Sequence, residues 1–200
     1  MTRIVAGAAR GRRLAVPAGR GTRPTADRAR EGLFSTLESL LGSLAGRRVA
    51  DLYAGSGAVG LEALSRGAQH CLLVEHDPKA LTALRANASS LGIPGAQVVA
   101  SRVERVVASG GATTYDVVFL DPPYDLDAER LREVVADLVR HGWLAPSAVV
   151  VVERASRDQP WRWPDGVGAE RERRYGEATL WYGRATRPAA SPATDQSTGV

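Results

Sequence analysis

The residues with the clearest capacity for chemistry are Asp121, Pro122, Pro123 and Tyr124, which follow the apolar run Val117-Val118-Phe119-Leu120 without a break. Two successive prolines fix φ and remove two N–H donors, so the segment presents acceptors in a stiff loop. The Asp121 carboxylate and the Pro122 carbonyl can together accept both N–H bonds of one amine. An amine on an aromatic ring is a poor nucleophile because its lone pair is delocalised, and two acceptors favour the pyramidal form that attacks. Tyr124 can stack on the base that bears the amine, a contact worth roughly 1–3 kcal/mol. The competing reading, a Pro-Pro turn with a capping aspartate, needs no ligand.

A second constellation lies upstream, in Asp51-Leu52-Tyr53-Ala54-Gly55-Ser56-Gly57-Ala58-Val59-Gly60, with G-x-G-x-x-G spacing between a strand and a helix. Glycines allow a tight turn and close approach of a ligand, and the helix start offers unpaired N–H donors. Glu75 ends the next strand eighteen residues after Gly57. A carboxylate there can accept hydrogen bonds from both hydroxyls of a ribose. Nicotinamide, flavin and S-adenosylmethionine cofactors all fit this pair of features.

These residues need a scaffold that brings strand ends together. Strands are expected at 48–54, 71–75, 97–101, 115–120 and 147–153, and helices at 58–66, 78–91, 102–109 and 127–141. Runs such as Val149-Val150-Val151-Val152 imply burial on both faces, hence a parallel sheet covered by helices. An amphipathic helix over 25–44, capped by Thr25 with Asp27 in its first turn, precedes them. Residues 170–175 and 178–184 read as a hairpin around Gly176-Glu177, so the sheet closes with an antiparallel pair.

The chain has 200 residues, 44% hydrophobic and 24% charged. That suits one domain with a real core and excludes whole-chain disorder. No run of about 18 apolar residues occurs, so a soluble, cytoplasmic protein is expected. Cys71 is the one cysteine beside His70, His76 and His141, which argues against a structural metal. The net charge of +4 is unevenly spread. Residues 1–30 hold eight arginines against Asp27, a net +7, while the remainder, 18 basic and 21 acidic, is −3. A basic segment of this kind, 1–24 with a following domain at 25–184 and a disordered tail at 185–200, is the footprint of a polyanion partner. The alternative is a general habit of using arginine, since Lys79 is the only lysine.

On the Gly55-Ser56-Gly57 loop, Glu75 and Asp121-Pro122-Pro123-Tyr124, in that order, the chain resembles the class I S-adenosylmethionine-dependent methyltransferases. Arg23-Pro24-Thr25, Asp27-Arg28, Arg30-Glu31 and Leu33-Phe34 resemble more narrowly the bacterial 16S rRNA guanine-N2 methyltransferases of the RsmD family. Ile4-Val5-Ala6-Gly7 with Arg10-Gly11-Arg12-Arg13-Leu14, and Tyr175-Gly176 with Thr179-Leu180, resemble its basic and closing hairpins. The resemblance covers about residues 3–184. It implies a Rossmann-like α/β fold with a seven-stranded, mostly parallel sheet, a C-terminal antiparallel hairpin, and a small basic N-terminal hairpin and helix.

The same resemblance implies methyl transfer from S-adenosylmethionine to the N2 amine of a guanine in the small ribosomal subunit, by a monomer that needs no metal and no membrane. Asp121, Pro122 and Tyr124 are then the catalytic set. Asp51, Tyr53, Gly55, Ser56, Gly57, Gly60, Glu75, His76, Ser101 and Arg102 are the cofactor set, with Ser101 standing where many relatives carry an acid or amide for the adenine amine. Arg10, Arg12, Arg13, Arg23 and Arg28 are the RNA set. A DNA adenine-N6 methyltransferase would use the same tetrapeptide, but the large target-recognition insertion is missing. A nicotinamide oxidoreductase leaves the tetrapeptide unexplained, and a non-catalytic RNA-binding protein leaves the cofactor loop unexplained. Trp161 and Trp163 flank Arg162 and read either as base-stacking aromatics or as a seal on the sheet edge.

Overall fold

A computed structural model describes residues 2–16, 24–123 and 126–186; Arg23, Tyr124 and the tail from 187 onward lie outside them. Strands β1 (Thr2–Arg3) and β2 (Arg13–Leu14) form a short antiparallel hairpin, followed by α1 (Pro24–Leu41). Then come β3 (Arg48–Leu52), α2 (Ala58–Ser65), β4 (His70–Glu75), α3 (Pro78–Leu91), β5 (Ala96–Ala100) and α4 (Val103–Ala108). The chain ends with β6 (Tyr115–Leu120), α5 (Ala128–Arg140), β7 (Leu144–Ala155), β8 (Val167–Tyr175) and β9 (Ala178–Ala185).

The seven-stranded sheet has the order β5-β4-β3-β6-β7-β9-β8, parallel from β5 to β7 and closed by antiparallel β9 and β8. The expected alternation holds, with ends shifted by a residue or two in most elements. The larger departures have local causes. Helix α1 starts at Pro24, whose fixed φ suits a first helical position, and stops at Leu41 because Gly42 turns to φ +80°. Strand β7 begins at Leu144 because its register against β6 slips between Tyr115 and Val117, around Ser147 at φ +61°.

The valine-rich strands are buried on both faces, as their composition requires. Val117, Phe119, Val149 and Val151 pack with α1, α2 and α3, whereas Val118, Leu120, Val150 and Val152 pack with α4 and α5. Aspartates start two of the covering helices: Asp77 accepts from the Ala80 N–H and Asp127 from the Arg130 N–H, at 2.8 and 2.9 Å. Each such cap contributes about 1 kcal/mol.

The basic N-terminal segment is fastened to the body. Glu62 of α2 accepts from the backbone N–H groups of Val5 and Ala6, at 2.9 and 3.1 Å. Ser65 accepts from the Ala9 N–H and donates to the Ala6 carbonyl. Asn87 of α3 accepts from the Ala15 N–H at 2.7 Å and donates to the Ala15 and Ser56 carbonyls. Gly7, at φ +81°, passes so close to α2 that a Cβ there would lie 1.8 Å from the Ser65 carbonyl oxygen. Ile4, Ala9 and Leu14 belong to the same apolar cluster as α1, α2 and α3.

Candidate active site

The sheet order reverses between β3 and β6, and in open α/β sheets the crevice beyond the strands' carboxyl ends at that point is where ligands bind. Asp51, near the end of β3, is 2% exposed and its carboxylate accepts from the Gly60 N–H at 2.8 Å, which ties the loop to α2. Burial pushes its pKa up to about 7 against that hydrogen bond, and the charges of Asp121 and Glu75 push the same way. Asp51 therefore senses the carboxyls at the end of β6 and of β4.

Gly55 and Gly57 both take positive φ, and Gly57 begins α2 without any side-chain cap, leaving the first helical N–H groups toward the loop. A Cβ on Gly57 would sit 2.3 Å from Leu84 Cδ1. Glu75 is held in place by backbone: one oxygen accepts from the Gly55 N–H at 2.8 Å, the other from the N–H groups of His76 and Asp77. Its carbonyl accepts from the Ser101 N–H at 3.0 Å, so the end of β5 sits beside that of β4. His76 keeps an exposed ring 3.6 Å from Glu75, and Arg102 is exposed at the cap of α4.

Tyr53 occupies the left-handed region at φ +67°, a conformation that costs a residue with a Cβ about 1–2 kcal/mol. Its hydroxyl donates to Glu104 Oε1 at 3.3 Å, and burial together with that carboxylate pushes its pKa upward. The ring thus leans toward α4 while the backbone makes the turn into the glycine loop.

Leu120 pairs with Leu52 on one side and Val152 on the other, so Asp121 leaves the sheet beside the glycine loop. Asp121 is exposed and Pro122 buried. The Pro123 carbonyl accepts from the Leu126 N–H at 3.0 Å, and Arg154 donates to the Leu126 carbonyl at 2.9 Å while paired with Asp158. The exit of this loop is therefore pinned to β7. Tyr124 lies outside the described residues.

One further carboxyl belongs to this neighbourhood. Glu153 follows Val152, so it stands level with Asp121 on the adjacent strand. Burial raises its pKa, and the charge of Asp121 carries it further, to about 8. The signal was available in the sequence: an acid closing a run of four valines in the strand after the Asp-Pro-Pro-Tyr segment.

The arginines expected to meet RNA divide. Arg10 and Arg13 are exposed on the hairpin and Arg28 on α1, whereas Arg12 is exposed but donates to the Ser90 carbonyl at 2.6 Å. Arg3, Gly11, Arg13 and Asp27 line an open cavity of about 410 Å³ between hairpin and helix. Arg30 is buried and spent on Glu62, Asp27 and the Arg3 carbonyl. Trp161 and Trp163 meet edge to face at 5.8 Å, and Trp163 occupies the space a Cβ on Gly183 would need, 2.8 Å away. The pair covers β9. Among the described residues no group of three His, Cys, Asp or Glu is arranged to hold a metal, and no helix is long and apolar enough to cross a membrane.

Sheet order, glycine loop and strand-end acid define a Rossmann-like methyltransferase fold. The chain belongs to the RsmD family, whose model, described as Conserved hypothetical protein 95, matches residues 2–184. It is 41% identical over 151 residues to ribosomal RNA small subunit methyltransferase D of Escherichia coli (strain K12), covering 76% of this chain and 73% of that one. The Haemophilus influenzae protein of the same name is 33% identical over 177 residues, 87% of this chain and 89% of that one. The solved structure of Escherichia coli yhhF matches with a TM-score of 0.80 at 34% identity, over 92% of this chain and 97% of that one.

Proposed function

We propose that the chain methylates ribosomal RNA of the small subunit, transferring a methyl group from S-adenosylmethionine to the exocyclic N2 amine of a guanine in 16S rRNA. The observation that carries this reading is that Asp121 and Pro122 leave β6 beside the end of β3, whose Gly55-Ser56-Gly57 loop is held by Glu75 of β4. The names of the relatives, ribosomal RNA small subunit methyltransferases, support the RNA class.

The cradle fits the cofactor. Glu75, fixed by three backbone N–H groups, keeps one of its roughly four lone-pair sites for a ribose hydroxyl, and the uncapped start of α2 offers donors beside glycines with no room for a side chain. In this reading Ser101, whose N–H donates to the Glu75 carbonyl, meets the adenine. S-adenosylmethionine, when bound, supplies a methyl group already activated on a sulfonium. The chain's task is then positioning. Asp121 and the Pro122 carbonyl accept the amine's two N–H bonds and turn its lone pair outward, and the proton that the amine loses on methylation passes along its hydrogen bond to the Asp121 carboxylate and on to water. Tyr124 stacks on the base. Such a base must be out of a helical stack to reach the loop. Arg10, Arg13 and Arg28 contact phosphates and set register without reading sequence.

The test is incubation of the protein with labelled S-adenosylmethionine and, separately, 30S particles, naked 16S RNA and DNA, followed by nucleoside mapping. N2-methylguanosine from 16S RNA is expected; label in DNA adenine alone would overturn the reading in favour of an N6 enzyme. Asp121→Ala should lower turnover about 10²-fold or more while S-adenosylhomocysteine still binds by calorimetry. Near-normal turnover of that variant would remove Asp121 from the mechanism.

A further inference from the structure

We infer that Glu153 is the residue that reads the target base as guanine, its carboxyl meeting the N1–H and O6 atoms next to the amine that Asp121 holds. This rests on the proposed activity and adds a specificity determinant to it.

The register places the two carboxyls together. Leu120 pairs with Val152, and both face α4 and α5; Phe119 and Val151, on either side of that step, face α1, α2 and α3. Continuing each strand by one residue puts Asp121 and Glu153 level with each other on the α1 side, at the carboxyl edge of the sheet. On the other flank Glu153 pairs with Leu180 of β9, and Val151 with Tyr182, whose side chains share that side.

The groups around Glu153 are polar beyond what the fold uses. Its titration senses burial first and the Asp121 charge second, and among the described residues no arginine, lysine or histidine pairs with it. The Tyr182 hydroxyl is fully buried and lies toward Thr36 of α1; beyond burial and that contact it senses Tyr175 and Arg173 from β8 and then Glu153 from β7. Tyr175 in turn closes on α1, where a Cβ on Gly32 would lie 2.0 Å from its hydroxyl. A half-buried carboxyl that no cation among the described residues compensates costs the fold stability, so packing does not account for it.

With its pKa pushed up to about 8 by burial and then by the charge of Asp121, Glu153 carries its proton at pH 7. A neutral carboxyl offers one acceptor, its C=O, and one donor, its O–H, in a single plane. The edge of guanine presents, in order, the N2 amine as donor, N1–H as donor and O6 as acceptor. Asp121 accepts the first, the Glu153 C=O the second, and the Glu153 O–H donates to the third. Adenine and cytosine both carry a ring nitrogen lone pair beside their amine, which would face the Glu153 C=O. A site built to hydrogen-bond a substrate group rejects an analogue without it more strongly than an apolar pocket rejects a methyl group.

The test uses the mapped target guanine, in the 16S RNA or 30S particle that the wild type methylates, and the same RNA with 2-aminopurine at that position. The analogue keeps the N2 amine but has a lone pair at N1 and no O6. Wild type should favour guanine by about tenfold or more in kcat/KM. Glu153→Leu should bring the ratio to about 1–3 by slowing guanine alone, with S-adenosylhomocysteine affinity and melting temperature not reduced. Glu153→Gln should keep the ratio within about threefold, because the amide offers the same C=O and a donor beside it. An unchanged ratio in E153L, equal slowing of both substrates, or loss of the preference in E153Q overturns the assignment, and the Gln variant decides it alone if the Leu variant does not fold. If the wild type methylates no guanine in either RNA form, it is the proposed activity that falls, before Glu153 is reached.

Discussion

Glu62 in α2 and Glu153 in β7 are both glutamates that packing draws out of water, the first wholly and the second in part. Glu62, with no exposed surface, accepts from the N–H groups of Val5 and Ala6 and pairs with Arg30 and Arg66, which in turn reaches Glu38 and lies over the Phe34 ring. Glu153 has no cationic partner among the described residues, and after burial it is the charge of Asp121 that it senses. The first arrangement compensates a buried charge completely and so holds the hairpin to the body. The second leaves a carboxyl uncompensated where a ligand would complete it. Burial alone therefore does not separate a structural acid from a functional one; the partners do.

Breaking the first site has the larger consequence. Glu62→Ala leaves two backbone N–H groups without their acceptor inside the protein and takes one ion pair each from buried Arg30 and from Arg66, and should lower unfolding stability by about 3–5 kcal/mol in urea titration. A loss below about 1 kcal/mol would show that Ser65 and Asn87 suffice to dock the hairpin.

The second site responds in the opposite sense. The folded chain binds the Glu153 proton more tightly than an unfolded one, with a pKa raised from 4.5 to about 8. The stability this proton contributes is whole below about pH 4.5 and is lost as pH rises to 8. Glu153→Gln removes that loss, so it should match the wild type near pH 4.5 and exceed it by about 1–3 kcal/mol at pH 8, in melting curves at the two pH values. An equal difference at both would place Glu153 outside the ionisation argued for it.

The smallest effect separates the arginines. Arg12 is engaged with Ser90, so Arg12→Ala should change the salt dependence of RNA binding less than Arg10→Ala or Arg13→Ala, each of which should reduce the log–log slope by about 0.7–0.9 if it contacts one phosphate. Equal slopes for all three variants would end the distinction between fastening and contacting residues.

The sheet was legible because valine-rich strands and short connections leave few other folds, and Asp51, Glu75 and Asp121 were legible because each sits at or near the end of such a strand. Other features depend on distance in the chain that a linear reading does not bridge. Glu62 meets Val5 across 57 residues and Asn87 meets Ala15 across 72, so the basic segment reads as an arm when its backbone is in fact docked. Glu153 needs the strand order before it stands next to Asp121. Arg12 and Arg13 are adjacent and chemically identical, and only the position of α3 tells them apart.

The docking of the hairpin bears on the order in which the molecule is built. Two strands of two residues do not hold together in water on their own. Residues 2–14 leave a ribosome before the helices that carry their anchors, Glu62, Ser65 and Asn87, so the hairpin finds its place only after α2 and α3 have followed it. Until then its arginines are carried on an extended, unattached strand of nascent chain.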